Sequence, residues 1–219
     1  MFRLGKRLRA IADLVADGAR IADIGSDHAK LLIFLVETGK VSYAVAGEVA
    51  RGPYEISLKN TKDIPEITVR LANGLFAIEE ADVINTIVIA GMGGILISEI
   101  LEARKEFTTK VKHLILQPNN EEAAVRFWLM KNGFKLVNEQ ILEDRGKIYE
   151  IIVAEAGDML LNEDEMKFGI FLNKHEIFKK KWSQRLSEIN YVLSVLPESQ
   201  ETEKQKIIAE KNQIERFIK

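Results

Sequence analysis

The feature that most constrains this fold is an alternation that stops partway along the chain. Short apolar runs at 20–24, 44–48, 67–72, 86–90 and 113–117 are each bounded by Gly, Pro, Asn or Asp. Between them, 28–38, 53–61, 94–104 and 121–132 carry apolar residues at helical spacing. Strand, helix, strand, helix predicts a mostly parallel sheet covered by helices on both faces. Ahead of it, Leu4, Leu8, Ile11, Ala12 and Val15 predict a further helix, stopped at Gly18. Beyond 132 two strand-like runs follow one another directly, 134–142 and 148–154, joined through Glu143-Asp144-Arg145-Gly146-Lys147. That pair predicts a hairpin, so at least one strand runs antiparallel to the rest.

A parallel sheet finished by an antiparallel hairpin is the architecture of class I methyltransferases, an α/β Rossmann-like fold. Dinucleotide-binding Rossmann domains generally lack the final reversal. Past Gly157 the pattern changes again. Phe168, His175, Trp182, Ile189 and Leu196 recur every seven residues, with Phe171 and Phe178 at a second position of the repeat. Pro197 interrupts, and Ile207, Ile208, Ile214, Phe217 and Ile218 form another apolar stripe. We read two antiparallel helices in a coiled-coil-like hairpin. The alternative is that they cover the sheet. The expected division is a cofactor-binding domain at 1–157 and a helical hairpin at 158–219.

Charge and cysteine content exclude several classes. Lys and Arg total 31 against 33 Asp and Glu, a formal net charge of -2, so any nucleic-acid surface must be a local patch. Without cysteine there are no disulfides or thiolate metal sites, and His28, His113 and His175 lie too far apart to suggest a metal cluster. No apolar run approaches the roughly 20 residues of a membrane span. The basic start, Met1 to Arg9, lacks the apolar core of a signal peptide. A cytoplasmic, metal-free monomer is expected.

In a parallel α/β sheet, ligands bind beyond the carboxyl ends of the strands. Four motifs fall there. Asp23-Ile24-Gly25-Ser26-Asp27-His28-Ala29 turns at one glycine, without the three spaced glycines that cradle a pyrophosphate. An acidic residue two places before that glycine suits a cofactor bearing an ammonium group. An ordinary turn with Ser26 or Asp27 capping the next helix is the plainer alternative. Gly47-Glu48-Val49 places a carboxylate where ribose hydroxyls can donate to it, a feature shared by NAD enzymes and methyltransferases. Asn73-Gly74 offers a side-chain amide that fits the edge of an adenine, and is also a common turn pair. Gly91-Met92-Gly93-Gly94 permits close backbone approach, and Gln117-Pro118-Asn119-Asn120 on the neighbouring strand end supplies donors and acceptors on a stiffened turn.

Together these motifs resemble the bacterial tRNA adenine-N1 methyltransferases that modify position 22, the TrmK family. Gly52-Pro53-Tyr54, Arg70-Leu71-Ala72 and Lys147-Ile148-Tyr149-Glu150 belong to the same resemblance, which covers essentially the whole chain. One departure is that Lys30, Leu31 and Leu32 stand where the family has Tyr, Leu and Pro.

The resemblance implies that S-adenosyl-L-methionine supplies a methyl group to N1 of an adenine in tRNA. It places Arg7, Asp23, Gly25, Ser26, Asp27, His28, Glu48, Val49, Asn73, Gly74, Gly91, Met92 and Gly93 in the cofactor pocket. Within that set, Asp23 to His28 shape the methionine end, Glu48 holds the ribose, and Asn73 with Gly74 meets the adenine. Asn119, backed by Gln117, is expected to orient the target base. Asp27 is the candidate acceptor for a proton from N6. Lys6, Arg7 and Arg9 form one expected RNA patch; Lys174, Lys179, Lys180, Lys181 and Arg185 form another. The competing readings are a class I methyltransferase acting on a small molecule or protein, and a non-catalytic cofactor-binding RNA scaffold. An NAD-dependent oxidoreductase fits less well, since the phosphate-cradling glycines are missing.

Overall fold

The computed structural model describes residues 3–197 and 200–218. Met1 and Phe2 of the basic start, and Glu198, Ser199 and Lys219 of the C-terminal segment, lie outside it. The strands are β1 (Ala19–Ile24), β2 (Val41–Glu48), β3 (Ile67–Leu71), β4 (Thr86–Met92), β5 (His113–Pro118), β6 (Phe134–Asp144) and β7 (Lys147–Ala156). They form one sheet in the order β3-β2-β1-β4-β5-β7-β6. The first five are parallel; β7 pairs antiparallel with both β5 and β6. The strand order reverses between β1 and β4, which opens a crevice at their carboxyl ends.

The helices are α1 (Lys6–Leu14), α2 (Lys30–Glu37), α3 (Arg51–Asn60), α4 (Gly94–Ala103), α5 (Lys105–Thr108), α6 (Glu122–Lys131), α7 (Glu163–Phe168), α8 (Glu176–Val195) and α9 (Glu201–Ile218). Period-two alternation along the strands feeds two cores. Ala22, Ile24, Ile87, Ile89, Leu114 and Leu116 pack against Ile97 and Leu101 of α4 and Val125 and Leu129 of α6. On the other face, Ile21, Ala44, Ala46, Val88 and Ile115 pack against Ile11 and Ala12 of α1 and against α2. Because both faces are covered, the central strands read as continuous apolar runs rather than as alternation.

The seven-residue spacing after Gly157 does not run along one helix. Phe168 ends α7, Gly169 turns the chain at φ 76°, and His175 flanks the start of α8. The turn needs glycine twice over. Besides the left-handed φ, a Cβ there would lie 2.7 Å from Glu139 Oε2 and 2.9 Å from Arg126 Nη2. Phe171, expected in the apolar repeat, is exposed. Phe168 meets Trp182 and Phe217 through ring contacts at 4.6 and 4.1 Å. The base of the α8–α9 hairpin buries Phe178, Trp182, Ile189 and Ile214 against Ile141 of β6, while Tyr191 and Val195 near its tip stay exposed. The hairpin therefore both pairs its helices and covers the sheet edge.

A cluster of buried charge joins this base to the sheet. Arg126 of α6, fully buried, bonds Glu139 Oε1 and Glu150 Oε2 at 2.7 Å each. It also donates to the carbonyl of Met166. Glu139 Oε2 accepts the backbone N–H groups of Ile170 and Phe171. Every charge in the cluster has several partners, which is what makes such burial tolerable.

Candidate active site

Along one face, each central strand carries an apolar residue followed two positions later by the residue that meets the crevice: Ile21 then Asp23, Ala46 then Glu48, Val88 then Ala90, Ile115 then Gln117. Packing of α1 and α2 over this face excludes water from the first of these carboxylates. Asp23 is buried and accepts a hydrogen bond from Ser26 Oγ at 2.7 Å. Burial pushes its carboxyl up to about 7, opposed by the Ser26 hydroxyl and reinforced by the nearby charge of Glu48. Glu48, also buried, is raised by the same cause, against hydrogen bonds from the Ser57 hydroxyl and the Asp27 backbone N–H. Among the described residues neither carboxylate is in a salt bridge. Two desolvated carboxylates side by side, without a bonded cation, form a donor-hungry pocket suited to an ammonium group and hydroxyls.

Between them runs a strained turn. Gly25 has φ 71°, and its N–H donates to the Gly47 carbonyl at 2.8 Å. A Cβ on it would collide with the Met92 methyl. Asp27, His28 and Ala29 then follow at φ 46°, 74° and 58°, three successive non-glycine residues in the left-handed region. Such conformations cost of order 1–3 kcal/mol each and gather at ligand sites. Neither Ser26 nor Asp27 caps α2, whose flanking residue is Ala29 and has no side-chain cap. The capped-turn alternative therefore fails. Asn60 holds the turn through the His28 carbonyl at 3.0 Å. His28 Nδ1 is buried without a partner, while Nε2 lies 3.3 Å from Asp27 Oδ1. Lys30 Nζ stands 3.8 Å from Asp27 Oδ2, so Lys30 acts here through charge.

The second half of the crevice is a hydrogen-bonded relay. Arg7 stacks over Tyr149 at 5.5 Å and donates through Nη1 to Gln117 Oε1. Fully buried Gln117 donates through Nε2 to the Pro118 carbonyl at 2.7 Å and to Asn119 Oδ1 at 3.2 Å. Asn119 donates through Nδ2 to the Gly91 carbonyl at 2.7 Å, and its own N–H reaches the Met92 carbonyl at 2.8 Å. The side-chain amide of Asn119 is thereby fixed at the mouth of the crevice.

The structure brings Asp23, Gly25, Ser26, Asp27, His28, Glu48, Gly91, Met92, Gln117 and Asn119 to this one place. Arg7 reaches it too, committed to Gln117 and Tyr149. Gly93 and Gly94 serve loop packing: a Cβ on Gly93 would lie 3.0 Å from Asn120 Oδ1, and one on Gly94 would strike the Glu121 backbone. Gly74 packs against Ile100, and exposed Asn73 keeps its amide free among the described residues, just beyond the Ala72 N–H bonded to the Glu48 carbonyl. Val49 is exposed. Ser57, Asn60 and Tyr149 support the site without having been assigned roles from sequence; of these only Tyr149 lay in a quoted motif.

Half of the cations in the expected RNA patches are paired with carboxylates. Arg9 pairs with Asp13, Lys180 with Glu143, Lys181 with Glu122 and Glu150, and Arg185 with Glu188 and Glu210. Their charges balance internally because each faces a carboxylate one turn away or on a packed element.

Residues 21–219 match the family model TrmK, tRNA (adenine(22)-N(1))-methyltransferase. The chain belongs to the TrmK family. A Bacillus subtilis (strain 168) member, tRNA (adenine(22)-N(1))-methyltransferase, is 40% identical over 215 residues, spanning 93% of this chain and 90% of that one. A Streptococcus pneumoniae protein solved in complex with S-adenosyl-L-methionine superposes with a TM-score of 0.93 at 43% identity, covering 99% of this chain and 100% of that one. TrmK of M. capricolum, solved with S-adenosyl-homocysteine, gives 0.89 at 27% identity over 98% and 97% of the two chains. This TrmK chain has a class I methyltransferase fold and is an enzyme of S-adenosyl-L-methionine-dependent tRNA methylation. Among the described residues no helix is long and apolar enough to cross a membrane, and no group of acidic or histidine side chains is placed to hold a metal ion.

Proposed function

We propose that this chain methylates N1 of adenine 22 in tRNA as a cytoplasmic monomer, with the crevice between β1 and β4 holding the methyl donor and Asn119 orienting the base. The observation that carries the reading is the pairing of two buried carboxylates that lack a bonded cation with a rigid amide relay across the same crevice. When bound, S-adenosyl-L-methionine supplies an electrophilic methyl carbon on a sulfonium. Asp23 faces its ammonium and Glu48 its ribose, with the unpartnered His28 Nδ1 and the Ser26–Ala29 backbone shaping the methionine end. Asn73 with Gly74 meets the adenine, Val49 flanks Glu48, and Gly91, Met92 and Gly93 separate the two halves.

N1 of neutral adenine has an in-plane lone pair, so no base is needed before attack. The lone pair forms the new N–C bond as the C–S electron pair returns to sulfur, and the adenine ring takes up the positive charge. The chain's contribution is alignment and charge. Asn119 presents an amide fixed by Gln117 and the Gly91 carbonyl, and Asp27, highly exposed beside the crevice, accepts a proton from N6. N1 lies on the Watson–Crick edge, so the base must leave its stack. The hairpin region 158–219, seated on the sheet edge, offers RNA the exposed Lys174 and Lys179.

Asn119→Ala tests the assignment. With cofactor saturating, methylation falls by about 100-fold while S-adenosyl-L-methionine binds as in the wild type. A wild-type rate would show that another group orients the base.

A further inference from the structure

Lys181 sits where the hairpin meets the amide relay. It lies in the first half of α8, and its Nζ bonds Glu122 Oε1 at 2.5 Å and Glu150 Oε1 at 2.8 Å. Neither partner is incidental. Glu122 is the first residue of α6, three positions after Asn119, and the chain between them turns through Glu121 at φ 53°. Glu150 follows Tyr149 on β7, and Tyr149 is the ring beneath Arg7, which bonds Gln117. One ammonium is thus bonded to both supports of Asn119: the downstream end of its loop, and the strand that carries the Tyr149–Arg7–Gln117 relay.

The two supports differ in how firmly they are held otherwise. Glu150 keeps its second oxygen on Arg126 at 2.7 Å. Among the described residues, Lys181 is the only side chain bonded to the Glu122 carboxylate. Burial opposes charge on both groups, yet the ion pairs prevail: Glu150 and Glu122 together hold Lys181 above its ordinary range, and Lys181 holds Glu122 below its own. An ammonium shared by two carboxylates in a half-dry setting has little left for an RNA phosphate, which separates Lys181 from the exposed Lys174 and Lys179 on the same segment.

We propose that Lys181 is a positioning residue for methyl transfer: by clamping Glu122 to Glu150, it lets the seated hairpin hold the Asn119 loop in register with the target base. The inference rests on the reading of Asn119 given above. It makes catalysis depend on docking of the hairpin base, independently of any RNA contact along its length.

The test is a double-mutant cycle in the full chain, with Lys181→Met, Asn119→Ala and the pair. Lys181→Met lowers kcat by about tenfold, the scale expected from a small misplacement of an orienting group. It leaves S-adenosyl-L-methionine affinity and tRNA KM at wild-type values. In the Asn119→Ala background it has no further effect on kcat. Loss confined to tRNA KM would make Lys181 an RNA contact, and a wild-type kcat or additive losses would remove the coupling; each overturns the proposal. Asn119→Ala at wild-type rate with Lys181→Met impaired refutes the role of Asn119, and with it the route of coupling. An impaired Asn119→Ala beside a normal Lys181→Met refutes the present inference alone. Should Lys181→Met fail to fold, Glu122→Gln carries the same cycle from the loop side, with the same expected and overturning results.

Discussion

Replacing Asp23 by Asn separates stability from cofactor binding. The carboxyl is held near 7 in the folded chain, against an ordinary value of 3.8. Burial is the first cause, so ionising Asp23 costs folding free energy. The gap of roughly three pH units corresponds to about 4 kcal/mol. The sign follows from linkage: relative stability is fully present below pH 3.8, declines as pH rises between the two values, and is fully lost above 7. Asn keeps the acceptor for the Ser26 hydroxyl and removes the charge. Its amide must find a new acceptor, which returns about 2 kcal/mol of the gain. The net at pH 8 is about 2 kcal/mol, a rise in Tm of roughly 4–8 °C for a chain of this size. By pH 5 that advantage has disappeared. Calorimetric scans of the free protein at pH 5 and 8 read the stability, and titration calorimetry with S-adenosyl-L-methionine reads the function. Affinity falls by about 30-fold as a charge-assisted bond to the ammonium is lost. A Tm difference that does not change with pH, or unaltered cofactor affinity, would refute the reasoning.

Gly25→Ala forces a left-handed residue and pushes a methyl into Met92, and lowers stability by about 1–3 kcal/mol together with cofactor affinity. Adding Met92→Ala relieves the clash but not the backbone strain, so calorimetry shows only partial recovery. Arg126→Met leaves Glu139 buried without a cation and Glu150 with Lys181 alone, and costs about 3–5 kcal/mol, read as a lower urea midpoint.

Most of the sheet was legible because the signal was local. Apolar runs of strand length between helical stretches fixed β1 to β5, and two adjacent runs with a Gly-containing link fixed the β6–β7 reversal. The candidate site was legible as placement alone: that Asp23, Glu48 and Gln117 meet one crevice follows from where apolar runs stop. What was not legible depends on tertiary packing. No spacing rule distinguishes a heptad continuing through Gly169 from one broken there by the Arg126–Glu139 pair. Nor does Asp-His-Ala announce three left-handed residues, since propensity favours a capped helix start. The basic residues of α8 looked available for RNA because their carboxylate partners lie up to 59 positions away in sequence.

The most direct test of the account is to react the protein with unmodified tRNA transcripts and labelled S-adenosyl-L-methionine, then map the product nucleotide. The account predicts one methyl group on N1 of adenine 22, absent from a transcript carrying guanosine there. Methylation at any other position, or tight cofactor binding without transfer to tRNA, would contradict it.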